Sequence, residues 1–398
     1  MRLTALPPVR RAVPLKRGTL AARAAMERFF GNRPITLYAS GTAALAQAIA
    51  QCAAKSSASA PEVIIPAYGC PDLVAACLHA AVYPRLVDVA SSHWAYDLEA
   101  LQASLSPNTV ALVAVNLLGL GDGAGELIHV CRERRIPLIQ DSAQFLPREP
   151  IDWPGDYVVL SFGRGKPLNL LHGGALVAPS GNGHGLTERP VHYTTRDFLL
   201  STRAAAIAFN LLTRPHLYRL CSMIPGTGLG NVVYTPLDET LLLPEHAWKQ
   251  VGIAFRLYCQ KPSYGREIWE SAIEQWAGMA IVALNCPGTT PQMEPVRLAL
   301  LAPDRAVRDA LVSSLARQGL GASSFYGTDL PGVSGIPALI KRQGPFPHAR
   351  ALADRLFTLP THGLVTQATV NSIHETMRAI HRTSSISGRH CSSDSLVP

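Results

Sequence analysis

The sequence predicts an α/β protein: a mainly parallel sheet covered by helices, followed by a smaller C-terminal α+β domain. Three observations carry this. Short unbroken apolar runs such as Val63-Ile64-Ile65, Val110 to Val115 and Ile136 to Ile139 alternate with helical stretches, and strands buried on both faces of a parallel sheet read this way. The alternation ends after Val177, and a separate strand-helix-strand pattern opens near Pro287. The 398 residues are enough for one large core and a second, smaller one. The expected boundaries are a basic N-terminal arm and helix over 1–33, a large domain over 34–286, a small domain over 287–382 and a disordered tail over 383–398.

Leu20 to Phe30 has helical periodicity, and Ile35-Thr36-Leu37-Tyr38 enters the turn that follows. A helix from Thr42 to Cys52 ends before the polar loop Ser56-Ser57-Ala58-Ser59. Pro66 stops the strand at Ile65, and Pro71 suits the first turn of a helix through Val74 and Leu78. Pro84 to Val89 is the next strand, and Asp97 caps a helix with Leu98, Leu101 and Leu105 on one face. Val110 to Val115 is the most strand-like run. Asn116 stands at its end, where capping its own backbone is the simpler role and substrate contact the sharper one. Asp122 opens a helix to Arg135; the surrounding Gly119-Leu120-Gly121-Asp122-Gly123 lacks full dinucleotide spacing and is discounted. Pro179 to Arg189 is a Gly-rich loop, and Pro225 to Gly230 breaks the helical region before it. Residues 240–285 look helical, with Trp248, Trp269 and Trp276 as packing residues. In the last domain, Val296 to Leu301 and Leu356 to Leu359 are strands, Pro303 to Gln318 is an amphipathic helix, and Thr366 caps a helix to about Ile380. His348 and His362 could approach the site, but surface or turn residues are the simpler reading.

Apolar residues make up 47% of the chain, yet no run of 18 is uninterrupted, so no spanning helix is expected. The eight cysteines show no Cys-x-x-Cys pair, which suits buried thiols in a reducing, cytoplasmic compartment and no metal site. The net charge of +8 is concentrated: residues 1–33 hold seven arginines and one lysine against Glu27 alone. Such an arm suits an anionic substrate, a membrane surface or a partner subunit, or an Arg-rich organellar presequence, with a solvated arm as the plainest reading. Residues 196–222 place Arg196, Arg203, Arg214 and Arg219 among leucines and alanines. An ordinary covering helix is the simplest reading there, with a subunit contact or a membrane-surface helix as alternatives. No nucleic-acid partner is expected.

The candidate chemistry centres on Val158-Val159-Leu160-Ser161-Phe162-Gly163-Arg164-Gly165-Lys166, a strand entering a Gly-rich turn, with a second apolar run from Gly173-Gly174 to Val177. Apolar strands and Arg164 favour the neutral amine of Lys166, and a neutral amine attacks carbonyls, as the lysines that hold pyridoxal phosphate do. Asp141 follows Ile136-Pro137-Leu138-Ile139 at the carboxyl end of a strand, where open α/β sheets place ligands. A carboxylate there can pair with a protonated pyridine nitrogen. Ser40-Gly41-Thr42 starts an Ala-rich helix whose free N–H groups suit a phosphate.

With these residues in view, the sequence resembles the DegT/DnrJ/EryC1/StrS aminotransferases, the sugar aminotransferase branch of the fold-type-I pyridoxal-phosphate enzymes. The matching motifs are Ser40-Gly41-Thr42-Ala43-Ala44-Leu45, Pro66-Ala67-Tyr68, Val87-Asp88-Val89, Asp141-Ser142-Ala143-Gln144, Ser161-Phe162 with Lys166, and Phe357 to His362. The resemblance implies that Lys166 is the Schiff-base lysine, Asp141 the partner of the pyridine nitrogen and Gln144 a neighbour of the cofactor's phenolic oxygen. It implies phosphate contacts from Gly41, Thr42, Ala43 and Ser161. Cys70 stands where the family stacks an aromatic ring, and the Asn and Arg segment that crosses to a neighbouring subunit is not recognisable; Gly230-Asn231 is the nearest candidate.

The function implied is transfer of an amino group from an amino acid such as glutamate to a keto sugar, nucleotide-linked, in polysaccharide or secondary-metabolite biosynthesis. A homodimer with the site at the subunit interface is implied as well. Two alternatives remain at this level: a catalytically silent protein that kept the fold, and a sugar dehydratase, which the lysine at position 166 disfavours.

Overall fold

A nine-stranded sheet organises the large part of the chain. The computed structural model describes residues 4–7, 9, 11–12, 22–121, 124–180, 189–190, 195–222, 232–260, 267–286 and 295–390. Helix α1 (Ala22–Phe29) leads to β1 (Ile35–Tyr38) and α2 (Gly41–Ala54). The parallel succession follows: β2 (Glu62–Pro66), α3 (Asp72–His79), β3 (Tyr83–Val87), α4 (Leu98–Ser104), β4 (Thr109–Val115), α5 (Ala124–Arg134), β5 (Leu138–Asp141) and β6 (Tyr157–Ser161). Next come β7 (Gly174–Val177), the two-residue β8 (Arg189–Pro190), α6 (Thr195–Leu212), α7 (Pro215–Ser222) and β9 (Leu241–Leu242).

The strand order is β3-β2-β4-β5-β6-β7-β1-β9-β8. Every pair from β3 to β6 is parallel, whereas β7 runs antiparallel to both β6 and β1. The turn carrying Lys166 therefore joins two antiparallel neighbours, with Ser161 opposite Gly174. All seven residues of β4 are buried, which is what helices on both faces demand of a central strand. On one face α2 lays Ala44, Ala48 and Ile49 against Val63, Val113 and Ile139. On the other, Ile64, Leu112 and Leu138 meet Leu127 and Cys131 of α5. Asp97 caps α4 as its spacing predicts, accepting from the N–H groups of Glu99 and Ala100.

The remaining elements are α8 (Ala247–Gln260), α9 (Glu267–Ala277), β10 (Val282–Ala283), β11 (Arg297–Leu301), α10 (Arg305–Arg317), α11 (Ala338–Lys341), α12 (Pro347–Arg355), β12 (Leu356–Pro360) and α13 (Gln367–His390). Strands β10, β11 and β12 form a separate antiparallel sheet. Its core joins Trp269 and Trp276 of α9 to Leu311, Phe357, Ile373 and Met377. Thus α9 and β10 pack with the second sheet although they precede Pro287, and the boundary residue itself lies outside the described residues. Helix α13 runs to His390, past the expected end near Ile380. Thr366 accepts from the N–H of Thr369 at its start.

His362 is 7% exposed and pairs through Nε2 with the carbonyl of Pro7 at 2.8 Å, so it is buried, not a surface or turn residue. The arm continues this contact: Leu6 N–H donates to Gly319 and Ala5 N–H to Pro215. Gly319 and Gly321 leave room for it, because a Cβ on Gly319 would meet the Thr4 carbonyl at 2.8 Å. Asp122, the loop expected over 179–189 beyond residue 180, the break at 225–230, Gly230-Asn231 and the tail after His390 lie outside the described residues.

Candidate active site

The carboxyl ends of β2, β4, β5 and β6 converge on one cleft that opens to solvent. Gly41, Thr42, Cys70, Asp141, Gln144, Ser161 and Lys166 all line it. So do Asp72, Asn116 and Tyr326. Of the eight residues expected to hold the cofactor, Ala43 alone is not in the lining: it is 1% exposed and its N–H donates to Ser40 Oγ at 3.0 Å, closing the N-cap of α2.

That cap decides which amides remain for an anion. Ala44 N–H goes to the Ser40 carbonyl and Ala43 N–H to the Ser40 hydroxyl, leaving those of Gly41 and Thr42 without an intrahelical acceptor. Thr42 Oγ1 donates to Asp72 Oδ2 at 3.1 Å, so Thr42 meets a ligand through its backbone. Gly41 is required for space: a Cβ there would lie 2.7 Å from Ser161 Cβ and 3.0 Å from its Oγ. The positive end of α2 and the Ser161 hydroxyl are thereby brought together, and a helix N-terminus beside a hydroxyl is a phosphate cradle.

Asp141 ends β5 and its Oδ1 accepts the N–H of Ala143 at 3.0 Å. Lys166 is half-buried on the same cleft, while Arg164 is exposed. Gln144 is fixed at both ends, Oε1 accepting from Leu118 N–H at 2.6 Å and Nε2 donating to the Tyr326 hydroxyl at 3.0 Å. Asn116 does not cap its own backbone; it is 3% exposed and donates through Nδ2 to Ser142 Oγ at 2.7 Å. Burial pushes the Cys70 thiol up to about 12, with Asp72 adding to the shift and Lys166 opposing it. Burial likewise holds the Tyr326 phenol well above its usual value. Behind this wall Tyr326 packs against Phe325, with ring centres 4.2 Å apart, and against Tyr68 at 5.5 Å.

Tyr326 and Asp72 escaped the sequence reading. Asp72 lies two residues from Cys70 and looks like an ordinary first-turn helix acid; Tyr326 arrives from the segment between α10 and α11, 182 residues from Gln144, with no local pattern to mark it.

A phosphorylated aromatic aldehyde with a basic ring nitrogen fits this donor set: amides and a hydroxyl at one place, a carboxylate and an amine at another. Comparisons with known proteins point the same way. The model of the DegT/DnrJ/EryC1/StrS aminotransferase family matches residues 21–186. The L-glutamine:scyllo-inosose aminotransferase of Streptomyces griseus is 29% identical over 154 residues, covering 37% of this chain and 35% of that one. The chain's matches span only 23% to 38% of the length of such curated relatives. Among solved structures, Spr1654 of Streptococcus pneumoniae, described as a sugar aminotransferase in its PLP form, superposes with a TM-score of 0.66 at 18% identity, covering 94% of this chain and 93% of that one. Helicobacter pylori PseC, an aminotransferase involved in the biosynthesis of pseudoaminic acid, gives 0.64 at 15% identity over 93% and 94%. At these identities the superpositions show a shared fold, the fold-type-I α/β architecture. The family match covers every lining residue quoted in the sequence, from Gly41 to Lys166, so over residues 21–186 the chain is similar to the DegT/DnrJ/EryC1/StrS aminotransferase family.

Proposed function

We propose that the chain is a pyridoxal-phosphate-dependent aminotransferase that moves an amino group from an amino acid to a keto sugar. The observation that carries this is the shared cleft: Lys166, Asp141, Ser161 and the first turn of α2, from four separate elements, line one cavity. When bound, the cofactor supplies the electron sink that stabilises negative charge at the substrate carbon.

The chain's own residues do the rest. Gly41 and Thr42 N–H and the Ser161 hydroxyl hold the phosphate, fixing the ring's orientation before substrate arrives. The Asp141 carboxylate holds a proton on the ring nitrogen. Lys166 is the amine that would hold the aldehyde carbon, and when free it would serve as the base and acid that moves a proton at the donor's α-carbon. Because the Tyr326 hydroxyl accepts from Gln144, its own O–H is a donor for an oxygen in the cleft; Gln144 thus serves the ring oxygen through Tyr326. Cys70, with its thiol protonated, offers a small apolar surface where the family has an aromatic ring.

Glutamate is the donor in this reading, and the Streptomyces griseus relative carries glutamine and an inosose in its name. A nucleotide-linked acceptor, a cytoplasmic location and a homodimer completing the site belong to the same proposal. The test is spectroscopic. The purified protein takes up pyridoxal phosphate, borohydride fixes the chromophore to Lys166, glutamate or glutamine bleaches the visible band, and a keto sugar restores it. A protein that stays colourless on reconstitution overturns the proposal in favour of a catalytically silent fold.

A further inference from the structure

Helices α6 and α7 turn the wrong side outward. Along α6 the face against the body carries Thr202, Ala206 and Thr213, at 9%, 7% and 5% exposure, with Thr202 Oγ1 accepting from Gln250 on α8. The opposite face carries Ile207 at 70%, Leu211 at 44% and Leu212 at 50%, and α7 adds Leu220 at 62%. A helix that only covers a core buries its large aliphatic residues and exposes its threonines. These four are among the ten large apolar side chains exposed among the described residues.

The charge beside this face has one sign. Arg203 and Ile207, one turn apart, share a stripe with Leu211 and Arg214, and both arginines are exposed. No Asp or Glu occurs between Asp197 and Asp238. The N-terminal arm brings more positive charge to the same place. Asn210 Oδ1 accepts the N–H of Ala12 at 2.8 Å and its Nδ2 donates to the Ala12 carbonyl at 3.0 Å, and Ala5 is held on Pro215. Exposed Arg11 is adjacent to Ala12.

We infer that the outward face of α6 and α7, with the arm tied beside it, docks the protein on an anionic lipid bilayer. Aliphatic side chains flanked by arginine match the boundary between acyl chains and acidic headgroups. A second copy fits less well, because a two-fold contact lays a patch on its own image and here would oppose basic surfaces on a chain of net charge +8. No described helix is long and apolar enough to cross a membrane, so the contact is peripheral, and neither α6 nor α7 contributes a residue to the cleft lining.

The experiment is vesicle flotation of the full chain, with vesicles of phosphatidylcholine alone or mixed equally with phosphatidylglycerol. The protein floats with the mixed vesicles only, and raised salt weakens binding. Arg203→Gln and Arg214→Gln each lower partitioning roughly fivefold. Ile207→Ser with Leu211→Ser and Leu220→Ser lowers it at least about tenfold, while far-UV circular dichroism and the urea midpoint show that the variant is folded. Protein that stays unbound with both vesicles overturns the inference. So does a dimer in free solution that the serine variant splits, or binding that survives the serine substitutions and follows charge alone, as nucleic acid would.

Discussion

Gly41→Ala tests the joint on which the proposed phosphate site depends. The new Cβ would sit 2.7 Å from Ser161 Cβ, 3.0 Å from its Oγ and 3.3 Å from its Cα. Two of those atoms belong to a short side chain and one to the backbone of β6, so no flexible group can swing away. Gly41 has no positive φ, so the cost is overpacking alone, about 1–3 kcal/mol. It is relieved by parting α2 from β6. Urea unfolding of Gly41→Ala, Ser161→Gly and the pair measures this as a double-mutant cycle. Ser161→Gly removes the two closest atoms, so the pair recovers most of the loss, with a coupling of about 1–2 kcal/mol. Pyridoxal-phosphate titration of Gly41→Ala shows at least about tenfold weaker binding, the equivalent of 1.4 kcal/mol. Additive stabilities, or unchanged stability and cofactor affinity in Gly41→Ala, would refute the claim that helix and strand meet at van der Waals contact.

Three further outcomes are expected. Asp88→Ala removes acceptors for the N–H groups of His348, Ala349 and Val89, at 3.0, 2.7 and 2.9 Å, and should cost about 2–3 kcal/mol in urea unfolding. Arg85 holds the Glu62 carboxylate below its usual value by hydrogen bonding and raises its own in turn. This stabilisation is present above the unfolded Glu value of about 4.3 and is lost as pH falls through the lower folded value; with Arg85 38% exposed, Glu62→Gln costs at most about 1 kcal/mol at pH 7 and nothing in strong acid. Cys70, its thiol near 12 through burial, should be alkylated by iodoacetamide roughly a thousandfold more slowly than free cysteine, as read by peptide mass spectrometry.

What was legible in the chain was what is local. The buried runs of β2, β4 and β6 are marked by β-branched residues, and Asp141 and Lys166 by their place at strand ends, so the sheet and most of the cleft followed from spacing. Val87-Asp88-Val89 was legible only as a motif; its aspartate meets the first turn of α12, some 260 residues on. Asn116 was misjudged because its partner, Ser142, lies just past the end of the neighbouring strand β5. Its register cannot be read from its own neighbours. Helix α6 ran against expectation in a different way: its apolar periodicity was visible, but which side faced the body was not. His362 was misplaced for the same reason, since its partner is at the opposite end of the chain.

The hydrogen bond from Gln144 to Tyr326 spans 182 residues. A chain still emerging from the ribosome can pair β2 to β7 and cap α2, yet its cleft lacks a wall until the final domain has been made and has folded back. On the proposed function, tight cofactor binding therefore requires the chain past Tyr326, and a fragment that ends before it should bind pyridoxal phosphate more weakly than the full chain.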